Sequence, residues 1–188
     1  MGDSSTSERL TCVLLSAEQD CASSIRRELC PDDGVWDCEL DGKKVQIGVK
    51  SGIPTPPTEW IADISEADAV ALAVHYLDVI TLDQLRDVCT LLGDHQAKLA
   101  VFLYRKAGEI DYKMSCPYCG QKLWVRDTDV NKRGRCPNCK KAFILPDQSE
   151  HVRAELDLHP GVLITRLEGG NDTSIRSAFR LLLDQLSA

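Results

Sequence analysis

Residues 116–139, CPYCGQKLWVRDTDVNKRGRCPNC, hold four cysteines as two C-x2-C pairs. Thiolates are metal ligands, and two such turns can aim four sulfurs at one ion. The C-x2-C-x16-C-x2-C spacing lies in the range of four-thiolate zinc sites. Cys116, Cys119, Cys136 and Cys139 are therefore the expected ligands of one zinc ion. A complete thiolate shell leaves no position for water, so the expected role is structural. Gly120 follows the first pair, where a positive φ suits the turn; Lys140 holds the matching place after the second. The intervening residues suit a strand out, a turn at Asn131-Lys132-Arg133-Gly134 and a strand back.

The other chemistry-bearing residues are scattered. Cys12 and Cys89 sit in apolar surroundings and read as small buried hydrophobes. Cys21, Cys30 and Cys38 match no common metal spacing. His75 ends an apolar run, where a sheet's ligand crevice would lie, with no nucleophile beside it in sequence. It reads first as a polar cap on a strand. His95, His151 and His159 fall in loop-like segments. Met1, Gly2 and Thr6 fit loosely the pattern for N-terminal acylation, although a loose polar start over residues 1–8 is the simpler reading.

Short apolar runs at 10–15, 68–74, 98–104 and 161–167 predict buried strands. Helical spacing follows the first, with Cys21, Ile25 and Leu29 on one side and Arg26 and Arg27 facing out. WDCELDGKKVQIGV (36–49) reads as a hairpin around Asp41-Gly42. EWIADISEA reads as a short helix. A further helix is predicted over 81–93, with Thr81 as N-cap and Gly93 as stop, and an amphipathic one closes the chain at 172–186. Apolar strands alternating with helices imply an α/β fold: a doubly wound, mostly parallel sheet with one antiparallel edge strand. The cysteine module enters between the third and fourth buried strands. The expected domains are 9–112 with 146–188, and the inserted β-hairpin ribbon at 113–145.

Net charge is −7, with 43% hydrophobic and 27% charged residues. That balance argues against a general nucleic-acid or membrane binder. No apolar run is long enough to span a membrane. No export signal is visible, and nine cysteines without one suit thiols and metal in a reducing, cytoplasmic setting. The charge is uneven. Residues 113–145 carry +6 and the rest −13. Trp124 and Tyr118 lie among the ribbon's cations, so nucleic acid is one possible partner, behind a protein contact or docking on the acidic body. IPTPPT (53–58) is a stiff segment able to recruit a partner.

The stretch 114–145 resembles zinc-ribbon modules through its cysteine pairs, Gly120, Arg135-Cys136-Pro137 and Phe143. It is also somewhat similar to rubredoxin, which holds redox iron, but has a shorter loop between the pairs. The element order over 9–112 and 146–188 resembles the Ras-like small GTPases. That resemblance implies four nucleotide motifs, and each departs from its pattern here. The place of the phosphate-binding G-x-x-x-x-G-K-S/T loop reads SAEQDCAS (16–23), with Ala22 where the lysine belongs and Ser23 alone matching. Glu18 and Asp20 would set negative charge beside a triphosphate. D-x-x-G becomes Val49-Lys50-Ser51-Gly52, the guanine-reading N-K-x-D becomes Arg105-Lys106-Ala107-Gly108, and S-A-K becomes Thr165-Arg166-Leu167. Receiver domains of response regulators are a second comparison. They need an aspartate at the end of a middle strand, where this chain offers Ala73, Val74 and His75.

The expectation is thus a pseudo-GTPase-like adaptor or scaffold without catalytic residues or bound nucleotide. Its protein contacts would run through Val49 to Trp60 or the ribbon. The alternatives are an unconventional nucleotide switch or slow GTPase, and a nucleic-acid module led by the ribbon.

Overall fold

The structure is a computed structural model. It describes residues 9–29, 37–40, 42–51, 60–77, 79–93, 98–109 and 111–186. Strand β1 (Arg9–Ser16) leads into helix α1 (Gln19–Leu29). Strands β2 (Asp37–Leu40) and β3 (Lys43–Ser51) follow, then α2 (Ile61–Glu66), β4 (Ala69–Val74), the short β5 (Tyr76–Leu77) and α3 (Val79–Leu92). After β6 (Leu99–Arg105) come four ribbon strands, β7 (Asp111–Ser115), β8 (Lys122–Arg126), β9 (Arg133–Arg135) and β10 (Ala142–Ile144). The chain finishes with α4 (Gln148–Glu155), β11 (Leu163–Glu168) and α5 (Asp172–Leu186).

Six strands form one sheet in the order β11-β6-β4-β1-β3-β2. All neighbours are parallel except β2, which runs antiparallel to β3 at the edge. The apolar runs explain the centre. Every residue of β4 and β6 is buried, as expected for strands covered on both faces. Leu72, Val101 and Leu103 pack with Leu85, Val88 and Val152 of α3 and α4 on one face. Phe102 packs edge-on against Phe179 of α5 on the other, with ring centroids 5.0 Å apart. Cys12 and Cys89 are buried, as read from the sequence. Burial pushes the Cys89 thiol up to about 12, which keeps it a neutral hydrophobe.

Three local expectations change. Thr81 is not an N-cap: α3 begins at Val79, so Thr81 lies buried inside its first turn. Gly93 does close that helix, with φ of 47°. The ribbon's middle is not one hairpin. Strand β8 pairs antiparallel with β7 and β9 with β10, so each cysteine pair sits at the head of its own hairpin. A 3-10 turn at Asp127–Asp129 and Asn131 (φ 64°) carry the chain between them. His151 lies in helix α4 and not in a loop; the sequence of that helix, QSEHVRAE, is too polar to show an apolar stripe. Cys30, His95 and residues 52–59 of the proline stretch lie outside the described residues.

Candidate metal centre and the altered ligand edge

The two cysteine turns are built alike. Cys116 N–H donates to the Gln121 carbonyl at 2.8 Å and Gly120 N–H to Cys116 O at 2.9 Å. In the second turn Cys136 N–H donates to Lys141 O and Lys140 N–H to Cys136 O, both at 3.0 Å. Gly120 and Lys140 adopt φ of 70° and 63°. The four Sγ atoms converge within 4.8 Å of one another, with Cys116–Cys139 at 3.8 Å and Cys119–Cys136 at 3.7 Å. A tetrahedron with metal–sulfur bonds of roughly 2.3 Å has sulfur–sulfur edges of about 3.8 Å. The donor set therefore fits one four-coordinate ion.

Electrostatics around the sulfurs suits this. The Gln121 backbone N–H, outweighing desolvation and helped by the neighbouring thiols, draws Cys119 down to about 6. At Cys139 the Lys141 N–H also pulls downward, but burial and the other thiols outweigh it and push it up to about 11. Four crowded thiols cannot all ionise without a cation between them. Beneath the site, Tyr112, Met114 and Val125 form a small core with Leu123, Val130, Phe143 and Leu145.

The ribbon is joined to the body at specific points. Strand β7 adds in parallel to β5, pairing Tyr76 with Lys113 and Leu77 with Met114. Arg105, at the end of β6, makes a two-pronged ion pair with Asp127 at 2.5 and 2.6 Å. That pair holds the Asp127 carboxyl below the usual carboxylate range. Arg166 of β11 also reaches Asp127 at 3.7 Å and Asp147 at 3.3 Å. Asp147 caps α4 by accepting from Ser149 N–H at 2.8 Å. Tyr112 Oη donates to Pro146 O at 2.7 Å. On the flank, the first cysteine turn faces Leu82 of α3 and His151 and Glu155 of α4 across a groove of about 380 Å³.

A doubly wound sheet binds ligands beyond the carboxyl ends of its strands. Here that edge holds an open cleft of about 380 Å³ lined by Glu18, Gln19, Asp20, His75 and Lys106. The connection from β1 to α1 is only Ala17 and Glu18. Ser16 Oγ closes it by accepting from Glu18 N–H at 3.1 Å and donating to Glu18 O at 2.9 Å. Glu18 and Asp20 thus set carboxylates at the positive end of α1. His75 stands between two carboxylates: Nε2–H donates to Glu109 at 2.8 Å and Nδ1 lies 3.3 Å from Glu18. Burial disfavours its charge, but hydrogen bonds to Glu18 and Glu109 outweigh that and raise its pKa. Tyr104 meets His75 edge-on at 5.9 Å between ring centroids. Gly169 passes so close to Tyr104 that an added Cβ would lie 2.3 Å from the hydroxyl.

No family model matches the chain, and no curated protein matches it in sequence. Among solved structures it resembles the Arl6 BBS3 small GTPase from Trypanosoma brucei, determined with the nucleotide analogue GppNp. The TM-score is 0.54 at 12% identity, over 96% of this chain and 98% of that one. The fold is that of a small GTPase. At this identity the likeness concerns the fold alone.

Within that fold the motif places can be located on the structure. SAEQDCAS does not form a loop: Ala22 and Ser23 lie inside α1, and Ala22 is buried. An eight-residue phosphate-binding motif has no counterpart in a two-residue connection. Thr165-Arg166-Leu167 lies within β11, and the turn beyond the strand is Gly169–Asn171. Arg105-Lys106-Ala107-Gly108 does sit at the end of β6. Its first residue is turned into the ribbon through Asp127, a role that sequence comparison missed. Val49 to Ser51 end β3, and Gly52 lies outside the described residues. Cys21 is buried in α1, and Cys38 offers no described side chain, so no second cysteine cluster forms among the described residues.

Proposed function

We propose that this chain is an adaptor or scaffold on a small-GTPase fold, acting by protein contact without turning over nucleotide. One structural zinc ion holds its ribbon. The observation that carries this reading is the two-residue β1–α1 connection with Glu18 and Asp20 at the helix start. Phosphates bound there would need a run of backbone N–H groups and an excess of cations, and would meet a two-residue connection and two carboxylates against the single lysine, Lys106. The commitment of Arg105 to Asp127 supports the same reading at the corner where guanine is read in GTPases. Contacts would then use the segment from Val49 to Trp60, which begins in the last residues of β3, or the ribbon. A cytoplasmic setting is part of this reading: the described cysteines form no disulfide, which suits a reducing compartment.

The test is calorimetric titration of the metal-loaded protein with GTP, GDP and ATP plus magnesium, with the preparation first checked for bound nucleotide. We expect no heat and no co-purified nucleotide. Micromolar or tighter binding would replace the adaptor reading with that of an unconventional nucleotide switch.

A further inference from the structure

On the β7–β8 hairpin, side chains alternate between two faces. Tyr112, Met114 and Val125 point inward and are buried, and Leu123 packs with them. The outer face therefore carries Lys122, Trp124 and Arg126 of β8 in a row, with Ser115, Lys113 and Asp111 opposite them on β7. Residues two apart on a strand are spaced by about 6.8 Å. Trp124 is 62% exposed although it is the largest side chain of the hairpin. Lys113 Nζ lies 4.2 Å from its ring centroid. Strand β8 is the outer strand of the β5-β7-β8 sheet; one edge of Trp124 borders, with Asp111 and Lys113, a small pocket shared with His75 and Tyr104 of the body. A second pair of the same kind lies on the first cysteine turn: Tyr118, 52% exposed, with Lys141 Nζ 4.8 Å from its ring centroid. Of the ribbon's carboxylates, Asp127 is engaged by Arg105 and Arg166 of the body and Asp129 by Lys132, while Asp111 stands opposite Arg126 at the end of this face nearest the body.

We propose that this outer face is a platform for single-stranded nucleic acid, with Trp124 stacking on a base and Lys122 and Arg126 meeting phosphates on either side. Two features select this occupant over a protein. A tryptophan that anchors a protein interface sits among apolar neighbours, and interface cores are poor in lysine. Here its neighbours on the face are Lys113, Lys122 and Arg126. Cations flanking an exposed ring match a ligand that offers regularly spaced anions and flat rings together. The proposal does not rest on the adaptor reading, which is carried by the ligand edge of the body and not by this face.

The experiment is fluorescence anisotropy of a labelled 15-nucleotide oligo-uridine with the full-length, zinc-loaded protein, over a salt series. Binding should weaken with salt, with a log–log slope of about −0.7 for each phosphate contacted. Trp124→Ala should lower affinity roughly 5- to 100-fold, and Trp124→Tyr should restore most of it. Lys122→Gln with Arg126→Gln should flatten the slope by roughly 1.4. Zinc content and circular dichroism of each variant confirm that the ribbon still folds. Absence of binding at low salt overturns the proposal, as does affinity indifferent to Trp124. Equal competition by polyglutamate of the same length would assign the face to an acidic polypeptide instead. Duplex RNA bound as tightly as single strands would reduce it to phosphate attraction, since paired bases cannot stack on the ring.

Discussion

The ribbon and the ligand edge of the body lie against each other and treat their sequence signals in opposite ways. In the ribbon the residue types that could do chemistry are present, and the fold brings them together at metal-binding distances. At the ligand edge the six-stranded frame is kept, but the connection that would cradle phosphate is two residues long and acidic. Architecture is set by many apolar residues, each replaceable by another of similar size. A ligand site depends on a few groups, and can vanish while the frame persists. At this edge Arg105 and His75 hold the chain to itself.

Metal removal tests this contrast most severely. In zinc-finger peptides the ion contributes roughly 10–16 kcal/mol of apparent binding free energy. The ribbon's own core is only a few side chains, so chelation or Cys136→Ser should unfold residues 111–145. The β1-β4-β6 centre should keep its amide protection in hydrogen-exchange mass spectrometry, because its core lies on the two faces of the large sheet. If those amides lose protection together with the ribbon, the two regions form one cooperative unit and the contrast fails.

Cutting the tie between them should cost less. Arg105→Ala leaves Asp127 with Arg166 as its remaining partner. Removing one member of a buried pair costs about 3–5 kcal/mol, and Asp127 is 38% exposed, so screening reduces the loss to about 2 kcal/mol. Denaturant unfolding measures that loss. Exchange should rise at β7 and β8 before it rises at β6. An unchanged midpoint would mean that the β5–β7 pairing alone holds the ribbon.

The pH dependence of the His75 clamp follows from its two partners. A histidine whose folded pKa is raised contributes stability fully below its unfolded value of about 6.5, and that contribution is lost as pH climbs through the folded value. Glu109, hydrogen-bonded to His75 and to Lys106 N–H, is held low despite partial burial; its contribution is present above about 4.3 and is lost as pH falls through the folded value. Wild type should therefore exceed His75→Gln in melting temperature most clearly between these limits, and the gap should close in mild alkali. A gap that is constant from pH 5 to 9 would show that His75 is neutral and only fills space.

Much of this fold was legible. Runs such as AVALAV and LAVFLY are buried on both faces, and nothing but a covered parallel strand accommodates them in so few residues. The cysteine site was legible because its spacing is local. What escaped depends on partners distant in sequence. Strand β5 is two residues long and exists only because β7 arrives beside it, 37 residues later. The Arg105–Asp127 pair is invisible from either residue alone, and comparison of Arg105 with a guanine-reading motif pointed away from it. Ala22 and Ser23, compared with the motif by length, lie inside α1 because the connection spans only Ala17 and Glu18.

The smallest effect separates the two cysteine turns, which share their hydrogen bonds but not their fifth residue. Gly120 takes φ of 70° without strain, and a Cβ there would meet nothing within 4 Å. Any cost of Gly120→Ala is thus backbone strain alone, about 1 kcal/mol for an L-residue in the left-handed region. Lys140 already bears that cost at φ 63°, partly offset by its Nζ donating to the Pro137 carbonyl. Lys140→Gly should therefore stabilise the zinc-loaded ribbon by up to about 1 kcal/mol, less the lost hydrogen bond and the greater freedom of glycine in the unfolded chain. Competition with a chelator of known affinity resolves a change of this size. Tighter zinc retention in Lys140→Gly and weaker retention in Gly120→Ala would show that two turns with one hydrogen-bonding pattern differ only in backbone strain. Weaker retention in both would assign Lys140 a binding contribution through its side chain.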